Sequence, residues 1–403
     1  MILNILLALI IGILFGIITG LIPGVHVNLI SLILLSMSGY FLGFTNPLVL
    51  SVFIIAMSVT HSFLDAIPAT FLGAPDAAMA LSVLPGHQLL LEGKGYEAVK
   101  LTVIGSLLSL IVVLLIIPLM IPIVPLIYEF INPFIGYILI FVVIFMTLKE
   151  SGIKKKIWAL ILFFLSGILG LLVLNMPNLS QPLFPLLSGL FGTSALLLSL
   201  NQNVKIPKQS VSETIFVSHG KKAKAVSAAV FSGSLTGLFS GLGSAQAAII
   251  GMQLVGDIGN YAFMILIGGI NTVNFVFSLV TLYTLQKARN GAVVAVLEIV
   301  ESINIFQLIV LLAVALIAGC IAAFLALKIS KIFAKYIVKV NYKILCWSII
   351  SFIALISFVF GQFMGLFILI ISTFVGLIAP LIGIKRSSAM GCLLLPVILY
   401  FVL

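Results

Sequence analysis

Apolar residues recur along the whole chain in blocks of about 20, the length an α-helix needs to cross a bilayer core. The blocks fall at residues 2–21, 47–63, 99–122, 123–147, 157–175, 181–200, 226–242, 259–283, 303–327, 344–360, 361–382 and 387–403. Two shorter pieces, 25–38 and 243–256, follow directly on interrupted sequence. Each is too short to cross, so each predicts a re-entrant or broken half helix. Residues 64–90 are apolar but interrupted by Pro68, Pro75 and Pro85 among Gly and Asp. Such a stretch at membrane depth must be buried in protein or line a cavity, because lipid cannot satisfy freed backbone groups. The expected fold is an all-α polytopic membrane protein with about 10–12 transmembrane helices plus broken half helices.

Composition agrees. The 403 residues are 63% hydrophobic and 7% charged, against about 25% charged in soluble domains. Mean hydropathy is +1.39. No Asp, Glu, Lys or Arg precedes Asp65. A disordered chain, a coiled coil and a soluble nucleotide-binding enzyme are excluded. The first block lacks the basic leader of a signal peptide and reads as a membrane helix. The net charge of +10 does not imply nucleic acid, because the lysines cluster between apolar blocks, where they report topology. Lys149 with Lys154 to Lys156, Lys205 to Lys224, Lys328 to Lys343, and Lys385 with Arg386 all fit the cytoplasmic side of a cell membrane crossed many times. Lysines 328, 331, 335, 339 and 343 would form the basic face of a helix at the lipid surface. Residues 1–148 carry two Lys against five acids, and residues 149–403 carry eighteen basic residues against five acids. That asymmetry suggests opposed topology of the two halves. Cys320, Cys346 and Cys392 stand singly in apolar surroundings and indicate neither disulfides nor zinc.

An internal repeat supplies the organisation. Gly12, Gly16, Thr19, Gly20 and Leu21 match Gly233, Gly237, Ser240, Gly241 and Leu242 at a constant offset of 221. Each copy is followed by a break and a short apolar segment, Pro23-Gly24 in the first and Gly243-Ser244 in the second. The reading is a first repeat over 1–204, with a broken helix at 22–28 and an inserted Pro/Gly-rich segment at 62–90. A basic cytoplasmic linker follows over 205–225, then a second repeat over 226–403 with a broken helix at 243–246. Duplicated halves with paired broken helices mark secondary transporters, often with inverted topology. The glycines alone also serve as close-packing devices between helices in lipid.

Candidate chemistry sits at these breaks. A break that opens a half helix presents unpaired N–H groups and the positive end of the helix dipole, which suit an anionic substrate group. Pro23, Gly24, His26 and Asn28 in the first copy, and Gly243, Ser244 and Gln246 in the second, are the substrate-binding candidates, joined by Asn271 and Asn274. Asp65 and Asp76 are carboxylates inside an apolar stretch, and such residues face a cavity, an ion or a partner. With carbonyls freed by Pro68 and Pro75 they would bind Na⁺, or carry a coupling proton. Thr60, His61 and Thr70 flank them. His87 reads as solvated beside a charged loop. No P-loop, G-x-S-x-G or H-E-x-x-H pattern is present, so no catalytic residues, enzyme activity or resident cofactor is expected. An aspartyl protease would need a carboxylate dyad, which two aspartates in one proline-broken run do not suggest.

At these residues the chain resembles the TctA family, the large membrane subunit of tripartite tricarboxylate transporters, in its shorter archaeal form. The resemblance is carried by Gly16 to Asn28, with its Gly20-Leu21-Ile22-Pro23-Gly24 core, and by Ser62 to Gly105. Within the latter, Ile67-Pro68-Ala69-Thr70 through Pro75 and Pro85-Gly86-His87 through Val99 follow the family's patterns. Asp76 stands where the family usually has Gly, and Pro85 where it has Asp. The leading reading is an ion-coupled secondary transporter that moves a small organic anion such as a carboxylate; the resemblance implies a large permease subunit that takes its substrate from an extracytoplasmic binding protein, with a small membrane subunit beside it. The expected partners are thus a small anionic solute, the lipid bilayer and those two subunits; a homodimer stays open. Two other readings stand: a polyprenyl-phosphate carrier, on Pro23-Gly24 alone, and a membrane scaffold that does not transport.

Overall fold

The computed structural model describes residues 2–22, 27–73, 77–177, 179, 181–201, 206–212, 214–239, 242–288, 290–338 and 341–403. In chain order the helices are α1 (Ile2–Leu21), α2 (Val27–Ser36), α3 (Ser38–Phe41), α4 (Pro47–Leu64), α5 (Ala66–Phe71), α6 (Val83–Leu91), α7 (Gly95–Ile131), α8 (Ile135–Leu148) and α9 (Ile153–Leu174). They continue with α10 (Leu183–Leu187), α11 (Ser194–Asn201), α12 (His219–Leu238), α13 (Ser244–Val255), α14 (Gly259–Leu285), α15 (Gly291–Val300), α16 (Ile305–Ile337), α17 (Tyr342–Ile382) and α18 (Gly391–Val402). Among the described residues no strand occurs, and seven helical runs are long and apolar enough to cross a membrane. The chain is an all-α, multi-pass membrane protein.

The run count falls below the expected number because neighbouring blocks fuse. Blocks 99–122 and 123–147 form one run, Gly95–Leu148, bent at the Asn132–Phe134 turn. Blocks 344–360 and 361–382 are one element, α17, broken at Gln362, whose φ of 50° and ψ of −142° lie outside the helical range. Block 181–200 is interrupted by a wide π-helical turn, Ser188–Thr193, tied to α17 by a 2.5 Å hydrogen bond between the buried hydroxyls of Thr193 and Thr373. The lysine-rich surface helix does not form as expected: Lys328, Lys331 and Lys335 belong to the last turns of α16. Their alkyl stems let the charges sit near aromatic rings, Lys328 over Phe324 at 4.3 Å and Lys331 over Tyr96 at 5.7 Å.

Two groups of helices result. The first holds α1–α7 and α12–α16. In it α1 lies parallel to α4, with Gly12 against Phe53 and Ala56, Gly16 against Met57 and Thr60, and Gly20 against His61 and Leu64. α12 lies parallel to α14 in the same manner, with Gly233 against Val273 and Gly237 against Phe277 and Ser278. The repeated glycines are therefore packing surfaces, as small residues are between helices in lipid. α4 and α14 cross antiparallel, joined by Ser62 to Thr272 at 3.2 Å and by Asn271 to Asp65 at 2.6 Å. α7 approaches α14 so closely that Gly105 abuts the Ile265 backbone and Gly268 abuts the Thr102 backbone; the Ser106 hydroxyl donates to the Gly268 carbonyl at 2.9 Å. The second group holds α8–α11, α17 and α18. Contacts of α8 with α13, and of α10 with the Ala77–Ser82 3-10 turn, join the groups, and a cavity of about 840 Å³ lies along the join.

The segment before α12 is anchored at several points, though many of its side chains are exposed. Gln209 accepts from the Gly95 N–H at 2.8 Å, supplying an N-terminal cap to α7 from a distant part of the chain, and donates to the Leu90 carbonyl at 2.9 Å. Such a cap satisfies one of the donors a helix start leaves open. Ser212 donates to the Glu97 carboxylate at 2.6 Å and Tyr261 donates to it at 2.7 Å. The starts of α7 and α14, the end of α16 and this segment thus share one end of the molecule.

Candidate functional site

The site grows from the half-length helix α13. α12 ends at Leu238, and Phe239 turns extended at φ −112°, ψ 126°. The chain re-enters helix at Ser244, with Gly243 as the extended N-cap. α13 then runs back along α14: Ser244 lies beside Asn274, and Gly251 lies beside Leu266. Its twelve residues span only about 18 Å, against about 40 Å for α14, so its N-terminus stops inside the protein. Ser244 and Gln246 are buried. The helix is interrupted between Leu238 and Ser244, so the expected break at 243–246 coincides with the N-cap and first turn of α13. Gln246, read as a donor to a ligand, uses its Oε1 to accept from the Gly243 N–H at 2.9 Å, which fixes the sharp entry into α13.

The first-copy break lies outside the described residues over Pro23, Gly24 and His26, and Pro75 and Asp76 lie outside them as well. Asn28, in the first turn of α2, is described, and its side chain tucks against Gly291 at the start of α15. Asn290 caps α15 by accepting from the Val293 N–H at 2.9 Å and donates through Nδ2 to Ser278 at 3.0 Å. Ser278 donates to the Asn274 carbonyl at 2.7 Å, and Asn274 Nδ2 lies 3.5 Å from Ser244 Oγ. Side-chain hydrogen bonds therefore connect the opening turns of α13 and α15, and Asn28 of α2 packs on Gly291 beside them. Each opening turn directs unpaired N–H groups and a positive dipole end toward its surroundings.

Asp65 sits where α4 gives way to α5. Pro68 lacks the N–H that would continue the hydrogen-bond ladder, and its ring crowds the carbonyl four residues back; the ladder is locally interrupted at Asp65, which keeps helical backbone angles. Asp65 is 2% exposed and accepts from Asn271 Nδ2 at 2.6 Å. The structure thus brings Asn271, one of the substrate-binding candidates, together with the carboxylate. It stands beside Thr272 at the midpoint of α14. A hydrogen bond of this kind contributes about 0.5–1.5 kcal/mol when made to a neutral carboxyl and about 1.5–3 kcal/mol to an ionised one. Thr60, His61, Pro68 and Thr70 are all buried around this helix junction. The hydroxyls of Thr60 and Thr70 have no hydrogen-bond partner among the described residues. No group of three His, Cys, Asp or Glu side chains able to hold a metal occurs among the described residues. The oxygen donors near Asp65 are amide and hydroxyl groups, which suit a hard cation such as Na⁺.

His87 is buried in α6, outside the seven spanning runs, and is not solvated as its neighbourhood in the sequence suggests. Its Nδ1 stands 3.5 Å from the Thr70 carbonyl oxygen. Burial, joined by the nearby Arg386 charge and opposed by that backbone contact, lowers its pKa to about 4, so the ring is neutral. Sequence reasoning passed over Asn290 and Ser278. The available signal was the spacing of Asn271, Asn274, Ser278 and Thr281, polar residues three and four apart on one face of an otherwise apolar block.

A bundle of apolar helices with a buried carboxylate and a half-length helix that starts inside it has the general build of a membrane transport protein. The comparisons identify the family. The sequence model of the tripartite tricarboxylate transporter TctA family matches residues 6–391, and the chain belongs to that family. An uncharacterised protein of Methanocaldococcus jannaschii is 32% identical over 358 residues, covering 87% of this chain and 88% of the relative. No solved structure matches.

Proposed function

We propose that this chain is an ion-coupled permease that moves a small carboxylate across the cell membrane. One observation carries the reading: α13 begins within the bundle, with Ser244 and Gln246 buried and Asn274 beside Ser244, and hydrogen bonds through Ser278 and Asn290 connect it to the opening turn of α15. A helix start inside the bundle with polar side chains beside it is suited to hold a carboxylate. Asp65, with Asn271 at mid-depth, is the coupling group and carries Na⁺ or a proton; Asp76 lies beyond the described residues and is a second coupling candidate on its sequence position.

In this reading the chain is built of two repeats of inverted topology. Support comes from α1 lying parallel to α4 and α12 to α14, through matching glycines, while α4 and α14 cross antiparallel. Transport then follows from one repeat moving against the other around the fixed site. A small membrane subunit and an extracytoplasmic binding protein would complete the assembly to which the family name refers.

The test is uptake of labelled citrate and succinate into proteoliposomes, under an imposed Na⁺ or proton gradient, with and without the partner subunits. The expected result is accumulation driven by one of the two gradients. Asp65→Asn should lower that accumulation by about tenfold or more while eluting from size exclusion like the parent. Absence of gradient-driven accumulation in every arm, or full coupled uptake by Asp65→Asn, contradicts the reading.

A further inference from the structure

The cavity of about 840 Å³ between the two helix groups lies away from the α13 opening turn, near the other end of that helix. Its wall includes Lys149 from the end of α8, Lys385 and Arg386 from the turn before α18, and Gln253 and Asp257 from the end of α13 and the turn after it. Three cations and one carboxylate thus line it. The carboxylate is engaged locally, since Asp257 accepts from the Gly259 N–H at 3.1 Å. Lys149 donates to Gln253 at 3.3 Å, and the Lys385 backbone N–H donates to Glu150 at 3.0 Å. Arg386 differs from the two lysines. It is 9% exposed, its Nη1 donates to the Phe191 carbonyl at 3.3 Å, and its Nε is buried with no hydrogen-bond partner among the described residues. A guanidinium held out of water with donor capacity unused is unfavourable unless an anion completes it. The planar guanidinium matches a carboxylate in two-point contact, which a lysine does not.

We infer that this cavity is a second anion site, in which Arg386 holds one carboxylate of a small di- or tricarboxylate and Lys149 and Lys385 attract the others. Its position among the basic clusters places it at the cytoplasmic mouth of the pathway, where the solute rests between the mid-depth site and water. The choice of ligand rests on the proposed carriage of a carboxylate; the existence of an anion site does not. An anionic lipid headgroup would offer related charge, so the test separates it from the soluble ligand.

The experiment introduces a reporter thiol on the cavity wall, Gln253→Cys, in the detergent-purified full chain and measures its rate of modification by a small charged thiol reagent. Citrate should slow the reaction by about tenfold at saturation, and a phosphatidylglycerol micelle should not. Adding Arg386→Gln should remove the protection, and Arg386→Lys should restore part of it. Adding Asp65→Asn should leave protection intact even where transport is lost, so failure of this site and failure of the transport reading give different results. Gln88→Cys, from α6 on the same cavity's wall, replaces the reporter if the first variant does not fold. Unprotected thiols at both positions in a chain that still transports, protection by lipid alone, or protection that survives Arg386→Gln each overturn the inference.

Discussion

A carboxylate 2% exposed inside a bundle of helices requires compensation, because a bare charge there is strongly unfavourable. Asp65 receives part of it from Asn271 at 2.6 Å. Asn271→Leu, branched in the same way but without a donor, should therefore destabilise the chain by about 2–4 kcal/mol, read as a fall in thermal unfolding temperature. The same substitution in the Asp65→Asn background should cost less, since no charge is left stranded. Equal losses in both backgrounds would show that the two side chains do not act as a pair. His87 permits a pH test. The folded ring resists protonation down to about pH 4, whereas the unfolded chain takes up that proton near 6.5. The contribution is complete above pH 6.5 and is lost as pH falls toward 4, by up to about 3 kcal/mol. His87→Gln should flatten this part of the stability profile, and an unchanged slope would mean that the ring titrates normally.

At the scale of helices, close approach decides which positions tolerate change. A side chain at Gly105 would overlap the Ile265 backbone, whereas nothing lies within 4 Å of the position a Cβ would take at Gly220. Gly105→Val should destabilise by about 3 kcal/mol or more, and Gly220→Ala should leave the unfolding temperature within about a degree. Comparable effects at the two positions would contradict the packing of α7 on α14. Much of this level was legible in the chain. The glycine spacing marked the faces of α1 and α12, and α1 has the expected bounds, Ile2–Leu21, its apolar block being followed in the sequence by proline and glycine. The length of 243–256 likewise pointed to a half helix, observed as Ser244–Val255. What was not legible depends on tertiary contact. Gln209 caps α7 from 114 residues away in the chain, and Gln246 is occupied with the N–H of Gly243. Lysines 328, 331 and 335 continue α16 because nothing in their sequence breaks the helix. Lys149, Lys385 and Arg386 carry no local signal beyond topology, since only the packing of α8 and α18 against the α13–α14 turn brings them to one cavity.

For the whole molecule, the shared end formed by the starts of α7 and α14, the end of α16 and the anchored segment before α12 carries most of the lysines and is assigned to the cytoplasm. Single reporter cysteines at Asn46, before α4, and at Asp257, before α14, should then react with a membrane-impermeant reagent from opposite faces, Asn46→Cys from outside and Asp257→Cys only after permeabilisation. Reaction of both from one face would refute the antiparallel arrangement of α4 and α14 across the membrane. The central claim is that a carboxylate is held at mid-depth by the opening turn of α13. It is tested most directly by a cryo-EM map of the protein in lipid nanodiscs with citrate, together with its partner subunits where uptake requires them. The account predicts density within hydrogen-bond reach of the Ser244 and Ala245 backbone N–H groups and of Asn274. A map of a citrate-transporting preparation with that turn empty and the solute bound elsewhere in the bundle would contradict it.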